Sequence, residues 1–517
     1  MALKLNIDSD ATGLFLAEEA SVGVLPAAAS TIFREMEPNS YQSFGGQVGL
    51  TPRSPIVEDR QRLAGVVTSV DAAMGINNDL TSRNMTEILQ GFLYASIRQK
   101  NPLVPTTTAT DEYTVAAGGG AYVAGDLVLA RDFAQSANNG LKTVASSTAT
   151  DVTVNETLVA SDTSGGTIRR CGFQFGSGEV EIVVSGTYPV LNRASGSKNF
   201  TDFGLVPGEW IRIGGDNAAT QFAGAGNNGF ARVRSVTASV ITFDKTQGTM
   251  TVDAGGSKTI RVFFGTLLKN EQPASIVTRT YHGELRMGSN DDSDETAKQA
   301  AYVKGAYPNS ASFNIQTGQN VTVDLEYVGV DVEDIDENDA GTIKSEVADV
   351  TVVAAAQADA YNGSNDAAYL NLQTVTSAAS NPTPLFAHVE NVTISIANNV
   401  TIEQAVGSQV GFVGTRGEFA VSLSLTAYLV DIGVFGSVRS GVTCSFDMHF
   451  ARDNAGISFD IPVIKLADAR PNIAKGSSVR VPLTGEAGKG TRDSSAYDHT
   501  LVMMFWDYLP DAAMPAA

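Results

Sequence analysis

The chain has 517 residues and a formal net charge of −21, with 43% hydrophobic and 18% charged residues. That length holds more than one domain with an ample core, and the composition is that of a soluble, folded protein. The acidity argues against a surface that clamps nucleic acid, which needs clustered Lys and Arg; it is compatible with a surface that repels it, although ordinary solubility would give the same excess.

Fifty glycines and an abundance of Val, Thr, Ser and Ile favour strands and turns over helices. The two cysteines, Cys171 and Cys444, fall in different predicted domains, which argues against a disulfide framework or a zinc site. The opening Met1-Ala-Leu-Lys-Leu-Asn-Ile-Asp8 lacks the charged and apolar regions of a secretion signal, and no run approaches the ~20 apolar residues of a membrane helix. The expected product is cytoplasmic when made, with no membrane partner.

Residues 1–30 carry Ala and Gly with little periodicity and read as an N-terminal arm. Arg34–Ser40 is a charged entry with a turn at Pro38-Asn39-Ser40. Two extended runs follow, about 44–50 and 62–70, joined through a connection that contains Pro52 and Pro55. Prolines cannot donate to a ladder, so they suit a hairpin tip or an edge. The hairpin carries Arg53, Glu58, Asp59, Arg60 and Arg62 with only Leu50, Ile56, Val57 and Leu63 as apolar cover. Two strands alone are marginal in water. Such an arm is either a mobile surface hairpin or one that completes its folding on another subunit, its mixed charges fixing register. A helix is predicted over about 82–99, where Met85, Ile88, Leu89 and Phe92 recur at helical spacing behind the capping residues Thr81, Ser82 and Asn84.

From about 102 to 268 the chain becomes a series of Thr/Ser/Gly-rich strands containing an internal repeat. Gly125-Asp-Leu-Val-Leu-Ala-Arg131, Asn138-Asn-Gly140, Val144 and Val152-Thr-Val154 return as Gly208-Glu-Trp-Ile-Arg-Ile-Gly214, Asn227-Asn-Gly229, Val233 and Ile241-Thr-Phe243. Asn-Gly with flanking alternation predicts tight hairpins in two small β-barrel or sandwich modules, 102–184 and 185–268. Alternating strands resume beyond, notably Val321-Thr-Val-Asp-Leu-Glu-Tyr327, which places four apolar residues on one face and Thr322, Asp324 and Glu326 on the other. Residues 339–385 read as a polar loop or small insertion between 269–338 and 386–517.

Catalytic patterns are missing from the sequence. His282, His388, His449 and His499 are scattered, with no HExxH and no nucleophile motif beside them. The acidic run Asp331–Asp339 fails the EF-hand pattern, with Asp339 where Gly and Ser345 where Glu would stand, and reads as a solvated acidic loop. Gly118-Gly-Gly120 lacks the Lys-Ser/Thr of a phosphate loop. No enzyme and no cofactor are expected.

Several segments resemble the tail tube (major tail) protein of long-tailed, non-contractile bacteriophages, the siphovirus type. They are Arg34-Glu-Met-Glu-Pro-Asn-Ser-Tyr41, with one residue more than the family's entry motif, Arg60-Gln-Arg62, Asp79-Leu-Thr81 and Leu89-Gln-Gly-Phe92. Looser matches follow at Ser275…Arg279-Thr-Tyr281, Lys304-Gly-Ala-Tyr307…Phe313, Asp324-Leu-Glu-Tyr-Val-Gly329, Val392–Asn399 and Phe459-Asp-Ile-Pro462. The resemblance covers about 31–101 and 270–517, with 102–268 as an insertion expected to face outward. It implies an all-β fold: a tail-tube β-sandwich with one flanking α-helix and a long hairpin, plus the inserted modules. It further implies hexameric rings stacked into a tube, partnered by tail terminator, tape-measure and distal tail proteins, through which DNA passes unbound. Such a protein resides in the virion tail and is assembled in the host cytoplasm. Pro52, Arg53, Pro55, Glu58, Asp59, Arg60 and Arg62 would then bridge rings, and Asp324 and Glu326 would line the lumen or else face outward solvent or a neighbour. A multi-domain β tail adhesin or receptor-binding component is the alternative, and a tail-associated glycan hydrolase a third reading.

Overall fold

The computed structural model describes residues 12–53, 56, 58, 61–287, 299–335, 343–356, 358–375, 384–386, 388–429, 432–489 and 497–515. It is nearly all β, with short helices at Leu89–Phe92 and Gly433–Arg439 among the described residues. No described helix is long and apolar enough to cross a membrane. Two compact units emerge: Met1–Ala95 with Ser275–Tyr361 and Asn391–Ser424, and Ser96–Ala274 with Asn362–Glu390 and Leu425–Ala517. This grouping differs from the expected boundaries, because 425–517 shares a unit with the supposed insertion.

The first unit is a sandwich organised by one 18-residue strand, Gln299–Gln316. Its first half pairs with Tyr281–Met287 and Asp331–Ile335; its second half pairs with Thr322–Gly329 and with Val389–Ala397. The change of sheet occurs around Gly305, whose φ of +57° suits glycine and where a Cβ would stand 2.7 Å from Val330. One sheet continues through Gly13–Glu18 and Ile32–Met36 to a parallel edge strand, Thr351–Val353. The other runs Pro38–Pro52, Gly65–Asp79, Thr322–Gly329, the second half of the long strand, then Val389–Ala397. The sheets pack closely enough that a Cβ on Gly283 would meet the Met74 sulfur at 2.7 Å.

Four expectations change here. Residues 13–18 are no arm but an interior strand with Leu14, Phe15, Leu16 and Ala17 buried, because a short apolar run without periodicity is also what a strand covered on both faces looks like. Pro38–Ser40 makes no turn; it opens a strand through a β-bulge. The hairpin is longer than expected, with two 15-residue arms paired from Pro52↔Gly65 to Pro38↔Asn78. The helix over 82–99 shrinks to Leu89–Phe92. Met85, Ile88, Leu89 and Phe92 are all buried as their spacing required, but Thr81, Ser82, Asn84 and Thr86 favour local side-chain bonding over helix. Thr81 Oγ1 accepts from the Arg83 and Asn84 amides, and Asn84 Oδ1 accepts from the Thr81 amide. Gly91 is required where it sits, since a Cβ would lie 2.7 Å from Pro308 and 2.8 Å from the Tyr281 ring.

In the second unit, residues 105–263 form one continuous 12-stranded sheet. It has two cores, one around Tyr113, Val128 and Val152 and one around Phe175, Phe203 and Phe243. The cores divide within Thr167–Gln174, at a bulge between Arg170 and Gly172, so the break precedes the predicted boundary at 184 and no gap separates two modules. The repeat is chemical as well as sequential. Asn139 bonds both the N–H and C=O of Phe133, and Asn228 does the same to Phe222. Asn138 and Asn227 each donate to an aspartate, Asp162 and Asp253, which caps the loop of its own copy. The asparagines therefore tie loops by side chain and keep negative φ, −92° at Asn139 and −106° at Asn228, instead of forming the tight hairpins expected.

The remaining sheet of this unit runs Thr266–Lys269, Val502–Trp506, Ala455–Asp468, Thr443–Arg452, Ala367–Thr374, with Arg480–Ala487 along the far half of Ala455–Asp468. The polar loop expected over 339–385 thus contains two paired strands, Thr351–Val353 and Ala367–Thr374. Buried Asn371 and Gln373 disguised the second as loop composition.

Candidate functional site

The Thr322–Gly329 strand buries Val323, Leu325 and Tyr327, as its alternation demands, and turns Asp324 and Glu326 to the opposite face. Cross-strand register assembles that face in rows. Ser40, Asn77, Asp324, Ser312 and Ser395 form one row across five strands. Ser43, Gly75, Glu326, Ser310 and Ala397 form the next, and Asp79, Thr322, Asn314 and Thr393 a third. These rows contain no lysine or arginine.

The carboxylates are held by neutral donors. Asp324 accepts from Gln42 (2.9 Å), Asn77 (2.7 Å) and Asn314 (2.7 Å). Glu326 accepts from Ser310 Oγ at 2.8 Å. Asp79 accepts from Asn39 at 2.8 Å and Asn320 at 3.3 Å. Neutral donors, amides at Asp324 and Asp79 and a hydroxyl at Glu326, fix each carboxylate without cancelling its charge, so the face presents negative groups in set positions among small hydroxyl and amide side chains. Asp79 and its amide neighbours were missed from sequence. The signal existed in the alternation of Gly75, Asn77 and Asp79 with Met74, Ile76 and Asn78, but Asp79 was singled out only as part of the Asp79-Leu-Thr81 segment.

The paired hairpin rises from two of these strands. Each 15-residue arm extends roughly 50 Å. Its distal part is uncovered: Leu50 is 62% and Val66 68% exposed. Pro52 closes the ladder against Gly65. Arg53, Glu58 and Arg62 are exposed and form no hydrogen bond or ion pair among the described residues. Pro55, Asp59 and Arg60 lie outside the described residues.

The second unit holds a buried ionic cluster that sequence reading passed over. Arg232 is fully buried and bonds Asp244 with two nitrogens (3.0 and 3.1 Å) and Asp460 with a third (2.9 Å). Lys245 pairs with Asp447 and donates to Ser445 at 3.1 Å. His449 stacks on Phe230 with centroids 4.2 Å apart, and its Nδ1 lies 2.5 Å from Ser458 Oγ. Ser458 Oγ also accepts from Trp506 Nε1 (2.6 Å), so one hydroxyl joins the imidazole and the indole. Burial lowers the pKa of both His449 and His499. Burial likewise lowers the pKa of Lys245, which Asp447 only partly offsets. His449, one of the four scattered histidines, is thus packed among buried aromatic rings on the strand Thr443–Arg452. The acidic run is a paired strand where it is described, not a solvated loop: Asp331 pairs with Lys304 at 2.9 Å and Glu333 with Lys344 at 2.8 Å.

Comparison with individually curated proteins gives no match. The chain matches the family model of the phage tail tube protein over residues 9–487, nearly its whole length. It therefore belongs to the phage tail tube protein family, a structural component of the virion tail.

Proposed function

We propose that this chain is the tube subunit of a non-contractile, siphovirus-type tail, assembling as stacked hexameric rings that conduct DNA into the host. One observation supports this above the others: a five-stranded sheet with an apolar core on one side and a cation-free, carboxylate-bearing face on the other. Duplex DNA carries one negative charge per ~1.7 Å of its axis, so a wall of fixed carboxylates without Lys or Arg repels the phosphates and lets the duplex slide. Six copies closing edge to edge would also remove exposed sheet edges.

In this reading the long hairpin, including Pro52, Arg53, Pro55, Glu58, Asp59, Arg60 and Arg62, bridges subunits or rings. Tail terminator, tape-measure and distal tail proteins are the other partners, assembly takes place in the host cytoplasm, and the protein catalyses no reaction. Electron microscopy of the purified chain tests the proposal. Tubes of uniform bore are expected; discrete particles would favour an adhesin and overturn it.

A further inference from the structure

The buried ionic cluster of the second unit divides into two parts of different chemistry. Strand register sets Arg232 opposite Lys245 on one pair of strands, and Asp447 opposite Asp460 on another. Arg232 satisfies both Asp244 and Asp460 through its planar fork, which leaves Lys245 to face Asp447. Both of these side chains are buried, at 1% and 0% exposure. Lys245 Nζ meets Asp447 Oδ1 and is steadied by donating to Ser445 Oγ at 3.1 Å. Asp447 Oδ2 lies 3.7 Å from His449 Nε2, and that imidazole is packed against the rings of Trp210 and Phe230. Among the described residues no backbone amide and no hydroxyl donates to the Asp447 carboxylate. The other buried lysine pair of this unit differs. Lys100 also donates to the Gly204 carbonyl, and Glu209 accepts from the Val206 amide as well as from Lys100.

We propose that Lys245 and Asp447 condense to an amide, an intramolecular cross-link between the strands Val240–Thr246 and Thr443–Arg452. A primary amine held against a carboxyl group in a buried site is a nucleophile beside its electrophile, at effective concentrations on the order of 10⁵ M or more. Burial lowers the Lys245 pKa and so favours the free amine. Burial also pushes the Asp447 carboxyl up, but Lys245 and His449 draw it below its ordinary value, so the resting pair is ionic. In the reaction the ammonium first passes a proton to the carboxylate. The Nζ lone pair then attacks Cγ, the C–N bond forms, and the bond from Cγ to Oδ2 breaks. That oxygen leaves as water with the two protons Nζ has given up, and no other reactant is needed. The product replaces two desolvated charges by one neutral amide, which removes the cost of keeping an ion pair in the core.

The inference does not depend on the tube reading. Its test is the intact mass of the purified full-length chain, measured after denaturation. The wild type should be lighter than its sequence mass by one water. Protease digestion should give a branched peptide that joins the segment containing Lys245 to the segment containing Asp447. Lys245→Arg retains the charge but removes the primary amine, and Asp447→Ala removes the carboxyl; both should show the full sequence mass. On a denaturing gel both should run differently from the wild type, whose closed loop stays compact. Mass is read whether or not a variant folds. A wild type at its full sequence mass overturns the proposal, as does a water loss that persists in both variants or maps to any other pair of residues.

Discussion

Arg232 allows the sharpest test of how residues 102–268 are built into the protein. Its guanidinium is wholly buried between Asp244 and Asp460, at 2.9–3.1 Å from both. Arg232→Met keeps much of the side-chain volume and leaves two buried carboxylates without their cation. Breaking a buried pair from one side costs about 3–5 kcal/mol, because the abandoned charge stays desolvated. For a unit of this size that corresponds to roughly 6–10 °C in the unfolding midpoint. Differential scanning fluorimetry of the purified chain reads it directly. Arg232→Met/Asp244→Leu/Asp460→Leu, which removes all three charges, should recover most of the loss. The same geometry ties 102–268, read from sequence as an outward-facing insertion, into the rest of its unit. Excision would strip Asp460 of Arg232 and Asp447 of Lys245, and would uncover the cluster of Met504, Trp506 and Leu509 that Trp210 and Phe230 cover. We expect the excised chain to be insoluble. An unchanged midpoint for Arg232→Met, or a soluble excised chain that polymerises, would refute this reasoning.

Gly91→Ala should destabilise the first unit by about 1–2 kcal/mol, the crowding against Pro308 and Tyr281 outweighing the better helix propensity; an unchanged or higher melting temperature would count against the close approach. Acidification from about pH 7.5 to 5.5 should lower the midpoint of the second unit. His449 and His499 have folded pKa values below their unfolded value, so the stability they contribute is complete above about 6.5 and is lost as pH falls through the folded values; His449→Gln should flatten the slope. Replacing residues 51–61 by a short Gly-Ser turn should leave a folded monomer that forms no tubes, and normal tube lengths would refute the bridging role. Asp324→Lys/Glu326→Lys should assemble yet slow genome delivery, with relief at higher salt, and unchanged infectivity would show that these residues lie away from the DNA.

Strand parity carried most of what could be read in advance. The burial of Val323, Leu325 and Tyr327 and the turning-out of Asp324 and Glu326 follow from period two alone. Burial of Met85, Ile88, Leu89 and Phe92 was equally legible, but helicity was not, because Thr81 and Asn84 bond each other and Gly91 fits a crowded site for reasons set by Tyr281 and Pro308. Long-range pairing left no local trace. Nothing around Arg232 announces Asp460, 228 positions away, and nothing in Gly13–Glu18 announces its place between two other strands. The Asn-Asn-Gly repeat was visible, but its chemistry lay in the distant Asp162 and Asp253.

The central claim is that the Asp79, Asp324 and Glu326 face lines the channel. A cryo-electron microscopy reconstruction of assembled tubes tests it most directly. The account predicts rings of these three carboxylates on the bore, with Gln42, Asn77 and Asn314 between them and no lysine or arginine from the same sheet face. A bore lined by any other surface of the chain, with Asp324 turned to solvent outside or to a neighbouring subunit, would contradict it.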